Sequence, residues 1–212
     1  MNRLKNYCKL SLLAMSLLGA GAGLMASCQS EHQSSATDPS EVVIQNIMTR
    51  TSIRAFTDQP VDEAIVEKIL RAGMSAPTAV NRQPWAFVVV NEREQMERLR
   101  EVHPYAQMLK TAQLAIIVCG DMERALPGAS QAYWIQDASA ATENILLAAH
   151  GLGLGAVWCG VYPNPDVLPK VKEVLGLPSS IVPLNIIPIG YPAENPTPKD
   201  KWKPENIHYN KW

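Results

Sequence analysis

Apolar residues recur along the chain with two different periods, which separate the predicted helices from the predicted strands. A helix start at Asp38 to Glu41 precedes apolar residues at helical spacing that continue to Met48. Further helices are predicted at residues 62–72, 93–101, 135–150 and 166–175, with Gly73 and Gly176 ending the first and the last of these. Short apolar runs predict buried strands at residues 87–90, 114–119, 156–161 and 182–189.

Buried strands that alternate with helices favour a three-layer sandwich of the α/β or α+β class, with a sheet between helices. Helical segments precede the first strand, so the chain does not open as a simple βαβ nucleotide-binding fold. From Tyr191 onward, proline and polar residues predict an extended tail. Because this tail carries Trp202, Tyr209 and Trp212, we expect it to pack on a partner subunit.

The first 28 residues follow a different pattern. Arg3, Lys5 and Lys9 precede an uncharged run, residues 10–27, which ends in small residues directly before Cys28. This order is that of a secretory signal peptide, and its ending resembles the lipobox of bacterial lipoproteins. It predicts a signal peptide at residues 1–27, cleavage before Cys28, and a lipid on that cysteine. The alternatives are an ordinary signal peptide, an uncleaved anchor and a cytoplasmic protein. All but the last place the domain outside the cytoplasm, on the periplasmic or cell-surface face of a membrane.

The segment that follows, residues 28–40, lacks large apolar residues and is predicted to be a flexible tether to a single domain at residues 41–212. With 47% hydrophobic and 18% charged residues, the composition suits one globular domain. The formal charge is −1, and loss of residues 1–27 removes three basic and no acidic residues, which leaves −4. Nucleic acid is therefore not an expected partner.

The cysteines and histidines do not form a recognisable catalytic or metal-binding pattern. The four cysteines are Cys8, Cys28, Cys119 and Cys159, without a CxxC pair, so a zinc site is not predicted. A disulfide between Cys119 and Cys159 is possible outside the cytoplasm, although both flank apolar runs and are better interpreted as buried thiols. The scattered histidines include His150, which a helix C-terminus explains, and none predicts a hydrolase.

A glycine-rich run, residues 151–155 (GLGLG), resembles a dinucleotide-binding fingerprint but follows a helix. The Rossmann motif requires the glycines to follow a strand, so this interpretation is set aside.

Two polar segments can supply ligands for a phosphorylated cofactor. Arg50 and Arg54 flank hydroxyl residues just past the first helix, which suits a phosphate but also an ordinary solvated helix end. Residues 76–85 (APTAVNRQPW) lead into the strand at 87–90 and offer hydroxyl and amide groups. Taken alone, this segment also fits a proline-fixed loop whose polar groups bond to nearby backbone.

Together the segments resemble the nitroreductase family of FMN flavoproteins. The family's sequence blocks are matched in order by Arg50, Ser52, Arg54 and Phe56; by residues 76–87, with Thr78 in place of serine; by residues 137–160; and by residues 189–192 (IGYP). The resemblance covers the chain from residue 42 to its C-terminus. It implies an α+β fold with a mixed, mostly antiparallel sheet, and a homodimer with the flavin at the interface.

The resemblance also implies which residues bind FMN. They are Arg50, Thr51, Ser52, Arg54, Pro77, Thr78, Asn81, Gln83, Trp158, Cys159, Gly160, Lys199 and Lys201. Arg50 and Ser52 are expected to contact the phosphate and the ribityl chain of FMN. Arg54 is expected near the pyrimidine edge, where a cation stabilises the anionic reduced flavin. Residues 77–83 line the isoalloxazine pocket, partly across the dimer interface, and residues 158–160 present backbone to the flavin face and to N5. Lys203 can replace the tail pair at the phosphate.

Family chemistry implies two-electron, ping-pong transfer from NAD(P)H, through flavin N5, to a small aromatic acceptor such as a nitroaromatic or a quinone. Residues 103–110 occupy the place of a substrate lid, and Tyr105 is a candidate substrate contact, although a surface turn also explains it. NAD(P)H is scarce outside the cytoplasm, so a membrane quinol or a redox partner is an alternative donor. Two other hypotheses are a specialised reaction, such as reductive dehalogenation or flavin fragmentation, and a non-enzymatic FMN-binding lipoprotein.

Overall fold

The computed structural model describes residues 38–212. The predicted signal peptide, Cys28 and the tether up to residue 37 lie outside the described residues. The described part contains helices α1 (Pro39–Thr49), α2 (Glu63–Met74), α3 (Arg93–Val102), α4 (Tyr133–Gly151) and α5 (Leu168–Leu175). Its strands are β1 (Trp85–Val90), β2 (Leu114–Asp121), β3 (Gly155–Ala156), β4 (Cys159–Gly160) and β5 (Ile181–Gly190).

One sheet organises the domain, in the order β1-β2-β5-β3, with β4 also paired to β5. All of these strand pairs are antiparallel, and a single parallel bridge joins Ser52 to Ala156. Strand β2 is buried along its length, and its side chains alternate between two cores. Ile116 and Val118 pack with residues of α2 and α4, whereas Ile117 and Cys119 pack with residues of α3 and α5. The predicted α+β sandwich of three layers is therefore confirmed.

The predicted elements are present within two residues of their predicted bounds, and three local features differ or are worth noting. Gly73 does not end α2 but lies inside it, where a Cβ would sit 2.9 Å from Cγ1 of Ile145, so it serves the packing of α2 on α4. The strand predicted at 156–161 is two short strands, β3 and β4. The helix predicted from residue 166 begins at Leu168 and ends, as predicted, at Gly176 in the left-handed conformation.

Helix α1 begins as predicted, with the Asp38 carboxylate accepting the Ser40 N–H. It touches α4, where the Asn46 side chain donates to the Leu147 carbonyl, yet it buries none of its own residues. Its apolar residues Val42, Val43, Ile44, Ile47 and Met48 are between 48% and 64% exposed. Within residues 38–212, no helix has the length and apolar character needed to cross a membrane.

Candidate functional site

The segment after α1, residues 50–57, carries the first predicted site residues and is here called the arginine loop. Arg50 caps α1, and its N–H donates to the Asn46 carbonyl. The loop then runs along the end of the sheet, where Ile53 N–H donates to the Ala156 carbonyl at 3.1 Å and Thr57 N–H donates to the Tyr191 carbonyl at 2.9 Å. These bonds tie the arginine loop to β3 and to the chain just past β5.

Two glycines permit this close approach. Gly155 of β3 and Gly190 of β5 lie opposite each other in the sheet. A Cβ on Gly155 would lie 2.6 Å from the Cβ of Ile53, and one on Gly190 would lie 3.1 Å from the Cβ of Phe56. The glycine-rich run at 151–155 therefore serves backbone packing. Ile53 and Phe56 are buried, whereas the Arg54 side chain between them is exposed.

A cleft of about 740 Å³, here called the basic cleft, lies between the arginine loop, α4 and the C-terminal tail. Its lining residues are Ile47, Met48, Arg50, Thr51, Ser52, Arg54, Glu143, Pro196, Thr197, Lys199, Asp200, Lys201 and Trp202. Four cationic side chains thus share the cleft with two carboxylates. The structure brings Lys199 and Lys201 to the arginine loop, and Lys203 is not among the lining residues.

Arg50 is held by an acid that the sequence analysis missed. Its Nε lies 3.6 Å from Oε1 of Glu143 on α4, and the Arg50 side chain is only 18% exposed. Arg50 is thus partly buried and paired, unlike the arginine of a solvated helix end. The only sequence signal for Glu143 was its place in the predicted helix at 135–150, which does not show what the residue faces.

His150 fixes the end of α1 beside Arg50. The Thr49 hydroxyl donates to the Gln45 carbonyl at 2.7 Å, so Nε2 of His150, at 2.9 Å, donates to that hydroxyl. Burial, and then the positive charge of Arg50, lower the pKa of His150 below its ordinary value of 6.5. The helix-dipole explanation given from sequence predicts the opposite direction, because a helix C-terminus favours the charged imidazolium.

The segment with Pro77, Thr78, Asn81 and Gln83 does not line the basic cleft of the same chain. It is anchored at the start of α4, where the buried Asp137 accepts the Ala79 N–H at 2.9 Å. Glu143 lies six residues further along α4, about 9 Å along the helix axis. The two groups of predicted site residues therefore lie against one helix without sharing a cavity.

The backbone of residues 77–83 is also strained. Val80, Asn81 and Gln83 adopt φ values of 45°, 56° and 50°, which residues with a Cβ rarely take. The Thr78 hydroxyl accepts the Gln83 N–H, and the Gln83 amide donates to the Asn81 side chain. Such a conformation, stabilised by its own hydrogen bonds and presenting an exposed valine, is typical of a segment shaped to contact a ligand or a partner.

Residues 158–160, here called the backbone wall, contact the predicted lid segment. His103 is 1% exposed; its Nδ1 accepts the Tyr105 N–H, so its Nε2 donates to the Gly160 carbonyl at 2.9 Å. The Cys159 sulfur lies 3.6 Å from the Tyr105 carbonyl oxygen. The sequence around His103 does not indicate this role. The 77% exposed Tyr105 is thereby held beside the backbone wall.

Cys119 and Cys159 are free, buried thiols, as the sequence favoured. Burial raises the pKa of Cys119 to about 12 and that of Cys159 to about 11, so both stay protonated and unreactive at neutral pH. The charge of Arg54 slightly opposes the shift at Cys159.

Comparison with known proteins assigns the chain to one family. The family model described as Nitroreductase family matches residues 47–103 and 99–191. A Methanothermobacter thermautotrophicus protein, provisionally named an NADH dehydrogenase/NAD(P)H nitroreductase, is 48% identical over 171 residues, which is 80% of this chain and 87% of that protein. The chain belongs to the nitroreductase family.

Solved structures of family members share the fold. A Parabacteroides distasonis protein with the same provisional name is 45% identical, with a TM-score of 0.76 over 80% of this chain and 98% of its own. An FMN-dependent nitroreductase of Clostridium difficile is 31% identical, with a TM-score of 0.73 over 80% of this chain and 99% of its own. The similarity thus spans nearly the whole of each of these nitroreductase chains.

Because the folded state disfavours the charged form of His150, the unfolded chain binds more protons just below pH 6.5. We expect the free energy of unfolding to fall as the pH drops through this range, and the fall to be smaller in His150→Gln, which keeps an N–H donor for Thr49. Urea unfolding between pH 7.5 and pH 5 measures this. His208→Gln, in the exposed tail, is the matched control; equal pH profiles for wild type and His150→Gln would contradict the assignment.

Proposed function

We propose that this nitroreductase-family chain is an FMN-dependent oxidoreductase that transfers two electrons from NAD(P)H or another donor to a small aromatic acceptor, a nitroaromatic or a quinone. One observation carries the proposal: cations from the exit of α1 and from the C-terminal tail, more than 140 residues apart in sequence, line one cleft. Like charges gathered in this way cost free energy in the absence of an anion. Such an arrangement favours binding of a phosphate group.

The residues of the basic cleft fit FMN in chemistry and in size. Arg50 and Ser52 offer guanidinium and hydroxyl donors for a phosphate, and Lys199 and Lys201 add point charges. Glu143 is one of the two carboxylates in the cleft. Because it pairs with Arg50, its negative charge is partly neutralised and repels a bound anion less. The volume of about 740 Å³ lies within the usual range for cofactor and ligand sites.

The arginine loop connects the basic cleft with the backbone wall, since Arg54 lines the cleft and the Ile53 N–H donates to the carbonyl of Ala156, two residues before Trp158. We therefore place the phosphate at Arg50, Thr51, Ser52 and the tail lysines, and the flavin ring toward the backbone wall. Bound FMN would accept two electrons from the donor and release them to the acceptor. Arg54 supplies positive charge near the ring, which favours its anionic reduced form.

Tyr105 is proposed to contact the acceptor. Its aromatic ring is exposed, while its backbone is fixed to His103 and faces Cys159, so the ring stands at the edge of the backbone wall. An exposed aromatic ring held on a fixed backbone can stack on a flat acceptor with little loss of conformational entropy. Small aromatic molecules therefore suit the site as acceptors.

We further propose a homodimer in which a second copy completes the site. Residues 77–83 lie outside the basic cleft of their own chain, and their strained, exposed conformation suits a contact with the partner's flavin. Helix α1 buries none of its own residues, and an isolated helix of 11 residues is marginal in water. Its apolar face forms a groove with Leu147 and Leu152, which a second copy would cover.

Residues 1–27 are proposed to be a cleaved lipoprotein signal, and Cys28 the lipid attachment point. The basic start, the uncharged run and the small residues before Cys28 support this, and the family match begins only at residue 47. The enzyme would then act outside the cytoplasm, at the membrane. A membrane quinol is accordingly kept as an alternative donor to NAD(P)H.

The first test loads the purified protein with FMN and adds NADPH or NADH without oxygen. The yellow colour should bleach, and a nitroaromatic or a quinone should restore it. Arg50→Ala should raise the Kd of FMN about 10- to 100-fold, the loss expected for one charged hydrogen-bonding group, while the Kd of riboflavin changes little.

Lys170→Ala, on α5 and outside the basic cleft, is the matched control. A wild-type protein that retains no FMN after gel filtration would refute the cofactor assignment. Bound FMN that neither nicotinamide reduces would instead favour another donor, one of the specialised reactions, or a non-enzymatic flavin-binding role.

The dimer is tested by light scattering of the protein from residue 28 onward. Wild type should show twice the mass of one chain. Val42→Glu, in the apolar groove of α1 and outside the basic cleft, should shift the mass to a single chain and weaken FMN binding, because a charge would enter the apolar contact. Val89→Glu places the same charge on edge strand β1, at a residue of comparable exposure (40%), and should leave the mass unchanged. A wild-type protein that remains a single chain at micromolar concentration would contradict this prediction.

Lipidation is tested by expressing the full chain in bacteria supplied with a labelled fatty acid. Wild type should carry the label and fractionate with membranes, whereas Cys28→Ala should remain an unlabelled precursor of full length. Cys8→Ala removes a cysteine from within the predicted signal peptide and should behave as wild type. Label retained by Cys28→Ala would show that the lipid is attached elsewhere.

A further inference from the structure

Glu194, four residues past β5, reaches back to the arginine loop. Its Oε1 accepts the N–H of Arg54 at 2.5 Å and the N–H of Ala55 at 3.2 Å. The two residues lie 140 and 139 positions away in sequence. Glu194 is not among the residues that line the basic cleft, so it contacts the arginine loop from outside the proposed cofactor site.

The backbone of the arginine loop needs this contact at one place. Ser52 and Phe56 are fixed by bridges to Ala156 and Pro192, and the Ile53 N–H donates to the Ala156 carbonyl. Between the two bridges, the N–H groups of Arg54 and Ala55 find their acceptor in the Glu194 carboxylate.

Main-chain bonds continue on either side of this contact. Ala193 N–H donates to the Ala55 carbonyl at 2.9 Å, and Thr57 N–H donates to the Tyr191 carbonyl at 2.9 Å. Residues 191–194 thus run alongside residues 54–57 as a short ladder of main-chain hydrogen bonds. At the end of this ladder, the Glu194 carboxylate takes the place of a main-chain acceptor.

We propose that Glu194 is a positioning residue, which sets the place of the Arg54 guanidinium in the basic cleft through the Arg54 and Ala55 amides. This rests on the proposed function. Arg54 has an exposed side chain and a backbone outside any helix or strand, so its position depends on how firmly those amides are held. A carboxylate holds them more strongly than a neutral acceptor does, because hydrogen bonds to an ionised group are shorter and stronger.

The negative charge of Glu194 has a second, opposing effect. A carboxylate near a phosphate site repels the anion and weakens its binding. Glu194 is exposed to water, which screens that repulsion, while its hydrogen bonds to Arg54 and Ala55 act at contact distance. We therefore expect the positioning effect to exceed the repulsion.

Two substitutions separate position from charge. Glu194→Ala removes both the hydrogen-bond acceptor and the negative charge, and should raise the Kd of FMN about tenfold, the scale of one lost charged hydrogen bond. Glu194→Gln removes the charge but keeps an acceptor oxygen, and should stay within about threefold of wild type. The Kd of riboflavin should follow that of FMN, unlike in Arg50→Ala, because Arg54 is placed beside the ring.

The midpoint potential of bound FMN gives a readout that a merely structural role would not move. A cation near the ring stabilises the reduced flavin, so displacement of Arg54 in Glu194→Ala should make the potential more negative, and Glu194→Gln should restore most of the shift. Glu205→Ala, which removes another carboxylate from the exposed tail, is the matched control and should leave the Kd and the potential unchanged.

A third measurement needs no flavin. Amide exchange at Arg54 and Ala55, followed by NMR, should accelerate in Glu194→Ala and stay slow in Glu194→Gln. Equal exchange in wild type and Glu194→Ala would overturn the proposal, as would tighter FMN binding in both variants, which would show that repulsion dominates. Failure of wild type to bind FMN would overturn the proposed function, and the exchange measurement would still decide whether Glu194 positions the loop.

Discussion

The contact between the arginine loop and the paired glycines of β3 and β5 is the constraint on which the site depends. Gly155 and Gly190 lie opposite each other; a Cβ on Gly155 would clash with Ile53, and one on Gly190 would be crowded by Phe56. Burial of these two apolar side chains holds the loop on the sheet. Between them, the Glu194 carboxylate holds the N–H groups of Arg54 and Ala55.

The positive charges that meet in the basic cleft oppose this arrangement of the arginine loop and the tail. Four cations in one cleft repel one another, and the chain reduces the cost with carboxylates around them. Glu143 pairs with Arg50, and Glu194 holds the backbone of Arg54. His150 is left with a lowered pKa, so it adds no further positive charge at neutral pH. The strained backbone at Val80, Asn81 and Gln83 is a second local cost, and proteins accept such costs mainly where they bind or react.

Most of the fold could be predicted from the sequence because helices and buried strands leave local periodic patterns. The errors lie where a residue's role depends on a distant neighbour. Gly73 resembles a helix end when only its own segment is considered, whereas Ile145, on another helix, explains why it is a glycine. The strand predicted at 156–161 is apolar throughout, yet it pairs with β5 only in two short stretches.

Some residues of the candidate site could likewise be predicted from the sequence, and others could not. The spacing of Arg50, Ser52 and Arg54, and the basic residues of the tail, could be found from the order of the motifs. Glu143, His103 and Glu194 could not, because each acts through a partner 57 or more residues away, on Gly160 in the case of His103. A carboxylate on an amphipathic helix or in a polar tail gives no local sign of the backbone or guanidinium that it contacts.

Helix α1 links three properties that are usually considered separately. It follows the predicted tether, its apolar face is not covered by any of residues 38–212, and its last turn leads into Arg50. The covering of its apolar face by a second copy would then stabilise the helix end that carries Arg50, so assembly and cofactor binding would be coupled through one helix. A chain that kept the arginine loop but lost that apolar face would retain the ligands for a phosphate without the support that orders them.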